Sequence, residues 1–299
     1  MRPICIPALL LYAACGTSEP TDTGPLDPPP PESGQQLATD SYRLAPGEEK
    51  YMCYQFNSPD EQVGITSATT INAPGVHHIA LYQAFGRTEP PDPHECEVLL
   101  KQTWLPIWGS GTSAQTLDLP TGAAFIIEPG TQYIVQLHLQ NATDEVIDVR
   151  AGMNLTYDHN VAALQPAGLY AFGSFKLTVP PQAVDYQVPV ANCTTGLDMN
   201  VFALFPHMHK AGTKLEVTRS ANGGAAETFY KIDPWTFGDQ PMEKVNMKVA
   251  PTDRFDLTCH YDNPSDQPIE YGESSDQEMC FFVAFYYPYD GLGGCITNG

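Results

Sequence analysis

Basic side chains and long apolar runs are both scarce in this chain of 299 residues. Lys and Arg together number 14 against 35 Asp and Glu, which gives a formal net charge of −21. This charge excludes nucleic acid as a natural partner, because phosphate binding needs clustered Lys and Arg. Beyond the N-terminus there is no run of about 18 apolar residues, so no later segment is predicted to span a bilayer.

The chain also lacks a Cys-x-x-Cys pair and any long amphipathic helical pattern. The first absence disfavours zinc-ribbon and thioredoxin-type sites. Strand signals dominate instead, because apolar and polar residues alternate in runs that Pro, Gly and Asn clusters separate. Such runs occupy residues 133–139, 199–204 and 281–287. We predict an all-β protein with two tandem antiparallel β-sandwich domains of jelly-roll type.

Residues 1–15 have the pattern of an export signal. One Arg precedes a short apolar run and small residues before a cysteine. Ala13-Ala14-Cys15 resembles a bacterial lipobox, which predicts lipidation of Cys15 and a lipid anchor as the contact with the membrane. A plain signal peptide is the alternative. The protein is predicted to be an exported bacterial lipoprotein on a membrane surface, periplasmic or extracellular, or to be secreted.

Residues 16–36 are predicted to be a disordered linker, since they are rich in proline and small polar residues and cannot bury a core. The remaining length exceeds one typical core. A boundary near residues 160–166 divides it into domains 37–163 and 164–299, and we expect a monomer.

Six of the eight cysteines lie beyond the signal, and none of them has a partner at Cys-x-x-Cys spacing. An even number in an exported protein predicts disulfides, with 15 connectivities possible in principle for six cysteines. They are Cys53, Cys96, Cys193, Cys259, Cys280 and Cys295.

Three histidines in the first predicted domain are candidate metal ligands. His77 and His78 follow Pro74-Gly75, which turn the chain into a strand. Adjacent residues on a regular strand face opposite ways, so one metal can bind both imidazoles only if the backbone bends or bulges. His138 occupies the more polar face of an apolar strand. A lone histidine there is more often simply hydrogen-bonded, so His138 depends on partners elsewhere.

The second predicted domain offers a His-x-His and a methionine. His207 and His209 share a face if the segment is a strand, and they can then close around one ion. Met279 precedes an apolar strand, where a methionine usually fills the core. A thioether beside two imidazoles would instead stabilise Cu(I) and leave positions open for dioxygen. Together with the first three histidines, these residues predict two copper sites.

At these residues the chain resembles the copper type II, ascorbate-dependent monooxygenases, the family of dopamine beta-monooxygenase and peptidylglycine alpha-hydroxylating monooxygenase. The resemblance extends over roughly residues 42–295. It rests on the order of the segments Tyr51-Met52-Cys53, His77-His78, Gln136-Leu137-His138, Ala167-Gly168-Leu169-Tyr170, His207-x-His209 and Ser275-x-x-Glu278-Met279-Cys280.

The resemblance implies a role for each candidate. His77, His78 and His138 would hold an electron-transfer copper, and Gln136 is the electron-path candidate. The catalytic, oxygen-binding copper would be held by His207, His209 and Met279. Ascorbate would be the reductant. The implied disulfides are Cys53–Cys96, Cys193–Cys295 and Cys259–Cys280.

The chain departs from the amidating branch of that family at the positions that grip a substrate carboxylate, where it has Phe205, Phe281 and Val283. A buried carboxylate without a cationic partner is costly. We therefore predict hydroxylation of a small apolar or aromatic molecule with dioxygen. The alternatives are a non-catalytic exported copper-binding lipoprotein that buffers or delivers metal, and a structural β-sandwich with incidental histidines.

Overall fold

The computed structural model describes residues 24–84, 89–96, 103–238, 240–272, 274–291 and 293–297. Within these ranges nearly every element is a β-strand, and the two short 3-10 helices are Val161–Ala163 and Ala221–Gly223. The predicted all-β fold is confirmed. No helix in the described part of the chain has the length and apolar character needed to cross a membrane. The predicted signal peptide and Cys15 lie outside the described residues.

Strands of the N-terminal half form three sheets, ordered β1-β12-β4-β9-β13 with β8 beside β4, then β6-β3-β10-β5-β7, and the pair β11-β2. These strands are β1 (Gly34–Ala38), β2 (Tyr42–Leu44), β3 (Glu49–Asn57), β4 (Val63–Ile71), β5 (Val76–Ala84), β6 (His94–Glu95), β7 (Trp104–Ser110), β8 (Thr116–Asp118), β9 (Ala123–Ile127), β10 (Gln132–Gln140), β11 (Ile147–Val149), β12 (Gly152–Asp158) and β13 (Gln165–Pro166).

The C-terminal half repeats the arrangement with sheets ordered β20-β17-β23-β14-β24 and β16-β21-β18-β19, and the pair β15-β22. Its strands are β14 (Gly168–Ser174), β15 (Thr178–Val179), β16 (Ala183–Thr194), β17 (Met199–His207), β18 (Gly212–Ser220), β19 (Ala226–Ile232), β20 (Glu243–Val249), β21 (Arg254–Asn263), β22 (Ile269–Glu270), β23 (Cys280–Tyr287) and β24 (Gly293–Thr297).

Strand β10 shows how alternation builds the N-terminal core. Its odd-numbered residues 133–139 are fully buried in the main hydrophobic cluster. Ile134 on the other face belongs to a separate small cluster with Cys53 and Cys96. Because side chains alternate along a strand, His138 shares the face of Ile134 rather than that of the main core.

The two halves pack directly against each other. Phe285 of β23 belongs to the same hydrophobic cluster as the N-terminal core, and its ring lies 6.2 Å from that of Trp108 and 6.3 Å from that of Phe125. Gln165–Pro166, which the predicted boundary assigns to the second domain, pair in parallel with Ala123 and Ala124 of the first half. The chain therefore crosses between the halves along a sheet edge.

The end of the predicted linker is ordered, which corrects the expectation for residues 34–36. Strand β1 begins at Gly34 and pairs with β12. The Gln36 amide donates to the Pro28 carbonyl (2.9 Å) and to Asn154 Oδ1 (3.0 Å), and Asn154 donates to the Pro29 carbonyl (3.0 Å). Side-chain amides hold the proline-rich segment here, so the absence of an apolar pattern did not prevent order.

Three disulfides cross-link the described chain, and they join the pairs that the resemblance implies: Cys53–Cys96, Cys193–Cys295 and Cys259–Cys280. The first lies in the N-terminal half and the other two lie in the C-terminal half. Disulfides of this kind persist in oxidising compartments, which is consistent with an exported protein.

Candidate metal centre

A β-bulge brings His77 and His78 to one side of the N-terminal sheet. His138 on β10 is directly opposite His78, whereas the next residue, Leu139, is opposite Val76. His77 is thus the extra residue of β5. The sequence required a bend or a bulge here for one ion to reach both imidazoles, and the structure has the bulge.

The imidazoles of His77, His78 and His138 converge through their Nδ1 atoms. His78 Nδ1 lies 3.5 Å from His77 Nδ1 and 3.3 Å from His138 Nδ1. One ligand atom from each of the three residues lies within 4.8 Å of the others, as in a metal site. His138 Nε2 lies 2.8 Å from Glu49 Oε1, and Tyr51 stacks on the His138 ring with centroids 4.2 Å apart. Glu49 accepts the Nε2 proton, which leaves the Nδ1 lone pair for a metal.

His207 and His209 form a second imidazole pair in the C-terminal half. Strand β17 ends at His207 and His209 follows it, yet their ring centroids are only 5.1 Å apart. His207 Nδ1 donates to Gln240 Oε1 (2.7 Å), and His209 Nδ1 donates to the Gln277 carbonyl (3.0 Å). Both Nε2 atoms are therefore unprotonated and able to bind metal. His207 Nε2 is buried without a hydrogen-bond partner among the described residues.

Glu278 fixes the backbone around the second pair. Its Oε2 accepts hydrogen bonds from the backbone N–H of His209 (2.9 Å) and of Met279 (3.2 Å), and its Oε1 accepts one from Ala211 (2.6 Å). Burial raises the pKa of Glu278 to about 7, against the lowering effect of these N–H groups. Met279 is fully buried, and the Tyr261 hydroxyl donates to its carbonyl (2.7 Å). One carboxylate thus holds the His209 and Met279 backbones side by side.

Burial keeps the candidate imidazoles neutral. It lowers the pKa of His77 to about 4, of His207 to about 4 and of His209 to about 3. The pKa values of His78 and His138 are lowered as well, again mainly by burial. Neutral imidazoles are the form that binds transition metals. The orphaned His207 Nε2 and the three converging Nδ1 atoms fit copper, which imidazole ligands suit.

The two groups of imidazoles meet between the halves of the chain. The ring centroids of His78 and His207 are 5.9 Å apart. Gln240 lies between them, with its Nε2 2.9 Å from His78 Nε2. Phe237 stacks on His77 at 4.5 Å and meets the His209 ring at 5.9 Å. All five candidate histidines therefore belong to one cluster.

Sequence reasoning missed Glu49, Phe237 and Gln240. Glu49 opens β3 with no motif around it, and Phe237 and Gln240 lie in the connection between β19 and β20. No spacing rule relates these residues to the histidines, because their proximity is purely tertiary. Ser275 belongs to one of the segments on which the family resemblance rests. Its hydroxyl lies 3.4 Å from Glu49 Oε2, and this contact links the two halves.

Gln136 lies close to the Cys53–Cys96 disulfide. Its Nε2 is 3.6 Å from Cys96 Sγ, and its Oε1 is 3.5 Å from the Tyr82 hydroxyl. It is buried on the same strand face as His138, two residues away.

An apolar cavity of about 270 Å³ reaches the imidazoles of His78 and His207. It lies between the halves, and no Lys, Arg, Asp or Glu is among the described residues that line it. Its largest side chains are Tyr82, Trp108, Phe175, Phe205, Phe281 and Phe285. Val283 also lines it, so the three positions at which the sequence departs from a carboxylate grip share one cavity.

Comparison with known proteins relates the chain to one family. Residues 165–299 match the family model for the C-terminal domain of copper type II ascorbate-dependent monooxygenases. The chain is 22% identical over 288 residues to the human "Putative DBH-like monooxygenase protein 2", covering 89% of this chain and 56% of the human protein. A mouse protein, DBH-like monooxygenase protein 2, is 28% identical over 102 residues, covering 33% of this chain and 16% of the mouse protein.

The chain thus spans only a little over half the length of the human relative. Among solved structures, a chain described under the triple jelly roll fold of an archaeal virus covers 91% of this chain and 63% of its own length. Its TM-score is 0.24 at 8% identity, which is too low to support an argument. The family match coincides with the half that contains His207, His209 and Met279. The C-terminal half of the chain is therefore similar to the C-terminal domain of the copper type II ascorbate-dependent monooxygenases.

Proposed function

We propose that this protein is a copper-dependent monooxygenase that hydroxylates a C–H bond of a small apolar or aromatic molecule. Dioxygen is the oxidant, and ascorbate or a similar one-electron reductant supplies the electrons. One oxygen atom enters the C–H bond and the other leaves as water, which consumes two electrons and two protons. The single observation that supports this best is the apolar cavity that reaches His207, whose Nε2 is buried and unpartnered.

The proposed roles follow from the two imidazole groups. His77, His78 and His138 would hold the electron-transfer copper, and Glu49 would keep the Nδ1 atom of His138 free to bind it. His207, His209 and Met279 would hold the copper that binds oxygen. Copper, when bound, supplies one-electron redox chemistry and dioxygen activation. Gln136 remains the electron-path candidate.

The cavity supports an uncharged substrate. Phe205, Phe281 and Val283 offer no hydrogen bond to a carboxylate, and burying an unpaired carboxylate there is costly. Ethylbenzene and benzoylglycine form a suitable pair of probes, since both have an aromatic ring but only the second has a carboxylate. We expect ascorbate-dependent hydroxylation of ethylbenzene and none of benzoylglycine.

Copper content of the full chain is the first test. After reconstitution and removal of loose metal, the parent should hold two coppers, and His138→Ala and His209→Ala should each hold one. His159→Ala is the matched control, because His159 is half exposed and paired with Glu61 away from the cluster. If both His138→Ala and His209→Ala kept two coppers, the assignment would be contradicted.

Oxygen consumption separates the enzyme from a metal carrier. An enzyme should consume dioxygen with ascorbate faster when ethylbenzene is added, and Met279→Ala should abolish product while the three-histidine site keeps its copper. A carrier that buffers or delivers copper should bind metal but show no substrate-stimulated consumption. A structural β-sandwich should bind no copper tightly.

We also propose that lipidation of Cys15 holds a monomeric protein at a membrane surface. The lipobox-like sequence supports this proposal. The three disulfides support it as well, because disulfides persist mainly outside the cytoplasm. Cys15→Ala should move the protein from the membrane fraction to the soluble fraction. Retention in the membrane fraction would contradict the anchor.

A further inference from the structure

Gln240 touches both imidazole groups through one amide. Its Oε1 lies 2.7 Å from His207 Nδ1, and its Nε2 lies 2.9 Å from His78 Nε2. The Nε2 also donates to the Phe237 carbonyl at 3.2 Å, which only an N–H can do. Gln240 is 1% exposed, so water does not substitute for these contacts. The Phe237 carbonyl therefore fixes which end of the amide faces each histidine.

With the amide in that orientation, the hydrogen bonds from His207 to Glu49 all run in the same direction from donor to acceptor. His207 Nδ1 donates to Gln240 Oε1, and Gln240 Nε2 donates to His78 Nε2. His78 then carries its proton on Nδ1, which lies 3.3 Å from His138 Nδ1. His138 in turn donates from Nε2 to Glu49 at 2.8 Å. Every donor in this series of hydrogen bonds meets an acceptor.

A metal at the three-histidine site would disturb this series of hydrogen bonds at His78. The Nδ1 atom of His78 faces the other two imidazoles, so it is the atom that would bind the metal. A neutral imidazole that binds through Nδ1 carries its proton on Nε2. That proton would point at the Gln240 NH₂ group, and two donors would then face each other in a buried site.

Rotating the amide does not remove the conflict. The rotated Oε1 would accept from His78, but the NH₂ group would then face the Nδ1 proton of His207, which is needed if His207 binds metal through Nε2. The rotated Oε1 would also face the Phe237 carbonyl. One amide has one acceptor oxygen, whereas two metal-loaded imidazoles present two donors.

We propose that Gln240 is a positioning residue that couples the two metal sites negatively, so that filling one site weakens metal binding at the other while the halves are in contact. The inference rests on the proposed copper function. Loading both sites breaks one of the two hydrogen bonds that Gln240 makes with the imidazoles. A buried donor left unpaired in this way corresponds to about a tenfold loss of affinity.

The test is a thermodynamic cycle of Cu(II) affinity, measured by competition with a chelator on the full chain. His138→Ala and His209→Ala give the affinity of each site when the other is disabled, and the parent chain gives the affinities when both are intact. We expect the second Cu(II) to bind the parent about tenfold more weakly than it binds the matching single-site variant.

Gln240→Glu and Gln240→Leu distinguish this coupling from a merely structural role. A carboxylate accepts from both His78 Nε2 and His207 Nδ1, and these two charge-assisted bonds outweigh the lost bond to the Phe237 carbonyl. Gln240→Glu should therefore abolish the coupling and tighten the second Cu(II), whereas Gln240→Leu fills similar space without an acceptor and should not tighten it.

The outcomes separate the two proposals. Two Cu(II) ions that bind the parent independently, or a Gln240→Glu variant that weakens the second Cu(II), would overturn the coupling and leave the copper function intact. No tight Cu(II) at either site would overturn the copper function itself. Coupling in the parent that Gln240→Glu removes would support the inference.

Discussion

The imidazole rings of His78 and His207 lie 5.9 Å apart, although they come from different halves of the chain. The ring of Phe237 covers the same region, because it stacks on His77 at 4.5 Å and lies 5.9 Å from both His78 and His209. A single aromatic side chain therefore touches both proposed copper sites.

Replacement of Phe237 by Ala should speed the loss of copper from both sites. The smaller side chain opens the imidazoles to solvent and to a chelator, so we expect copper removal at least several times faster at each site. Phe229→Ala is the control, since Phe229 packs on Phe255 and Phe282 instead of on an imidazole and does not line the cavity. Faster copper release at only one of the two sites would contradict the conclusion that Phe237 shields both.

Removal of the Glu49 carboxylate should weaken the three-histidine site. Without it, the buried His138 Nε2 proton has lost its acceptor, and Nδ1 is no longer held as the free atom. Such a partner typically contributes about 10- to 100-fold to metal affinity. Chelator competition should show this loss for Glu49→Ala and a smaller one for Glu49→Gln, which keeps an oxygen acceptor.

Glu61→Ala is the matched control for that prediction. Glu61 pairs with His159 at 3.1 Å, and both side chains are at least half exposed. We expect its copper affinity to equal that of the parent. Equal affinities for Glu49→Ala and Glu61→Ala would show that the contact with His138 does not support metal binding.

Val283→Phe should reduce the space available to a substrate without affecting the metal sites. Val283 lines the cavity of about 270 Å³, so a larger ring fills part of it. We expect KM for ethylbenzene to rise about tenfold, which corresponds to about 1.4 kcal/mol of lost binding, at unchanged copper content. Val184→Phe, at a position 83% exposed, should leave KM unchanged. An unchanged KM in Val283→Phe would place the substrate elsewhere.

Loss of the Cys259–Cys280 disulfide should destabilise the C-terminal half and disturb the second site. Cys280 directly follows Met279, and the disulfide joins two cysteines that are 21 positions apart in the sequence. Removing a native disulfide costs about 2–5 kcal/mol of unfolding free energy. Urea denaturation of the double Ala variant should show this loss. The matching Cys53–Cys96 variant should keep the His207 and His209 copper.

The metal-free protein should lose stability as pH falls below 6.5. Burial lowers the folded-state pKa of His77 and His207 to about 4 and that of His209 to about 3, whereas the unfolded chain binds these protons near 6.5. The unfolded state therefore binds more protons in the window from about 6.5 down to 4, and stability rises with pH there. Each imidazole contributes up to about 1.4 kcal/mol per pH unit.

Urea denaturation at pH 6.5 and pH 5 measures this slope above the range in which most carboxylates titrate. His77→Phe should reduce it, because one lowered pKa is removed while the contact with Phe237 is kept. A stability that stays constant between these pH values in the metal-free parent would contradict the buried, neutral state of the cluster.

Sequence pattern was sufficient wherever local periodicity determines the structure. The alternation in residues 133–139 predicted β10 and the face of His138. The His77-His78 pair required a bend or a bulge for a shared metal, and the structure contains a bulge. Periodicity says nothing about residues that meet only in the tertiary fold. Glu49, Phe237 and Gln240 reach the histidines from separate strands and connections, so no spacing in the sequence could identify them.

The same limit explains the linker and the relation between the two sites. Order in residues 34–36 comes from side-chain amides of Gln36 and Asn154, which leave no apolar pattern. The sequence assigns the two ligand sets to separate domains, and the packing of Phe285 against Trp108 and Phe125 shows that these domains share a core.

The extra residue at His77 makes the length of β5 as important as its composition. Deleting one residue between Gly75 and His78 would restore an unbroken ladder with β10, in which neighbouring side chains of β5 face opposite ways. A homologue that keeps both histidines but lacks the inserted position could therefore fold into the same sheet with only one of them beside His138. Insertions and deletions in this strand, rather than substitutions alone, would decide whether a descendant of this chain retains three converging imidazoles.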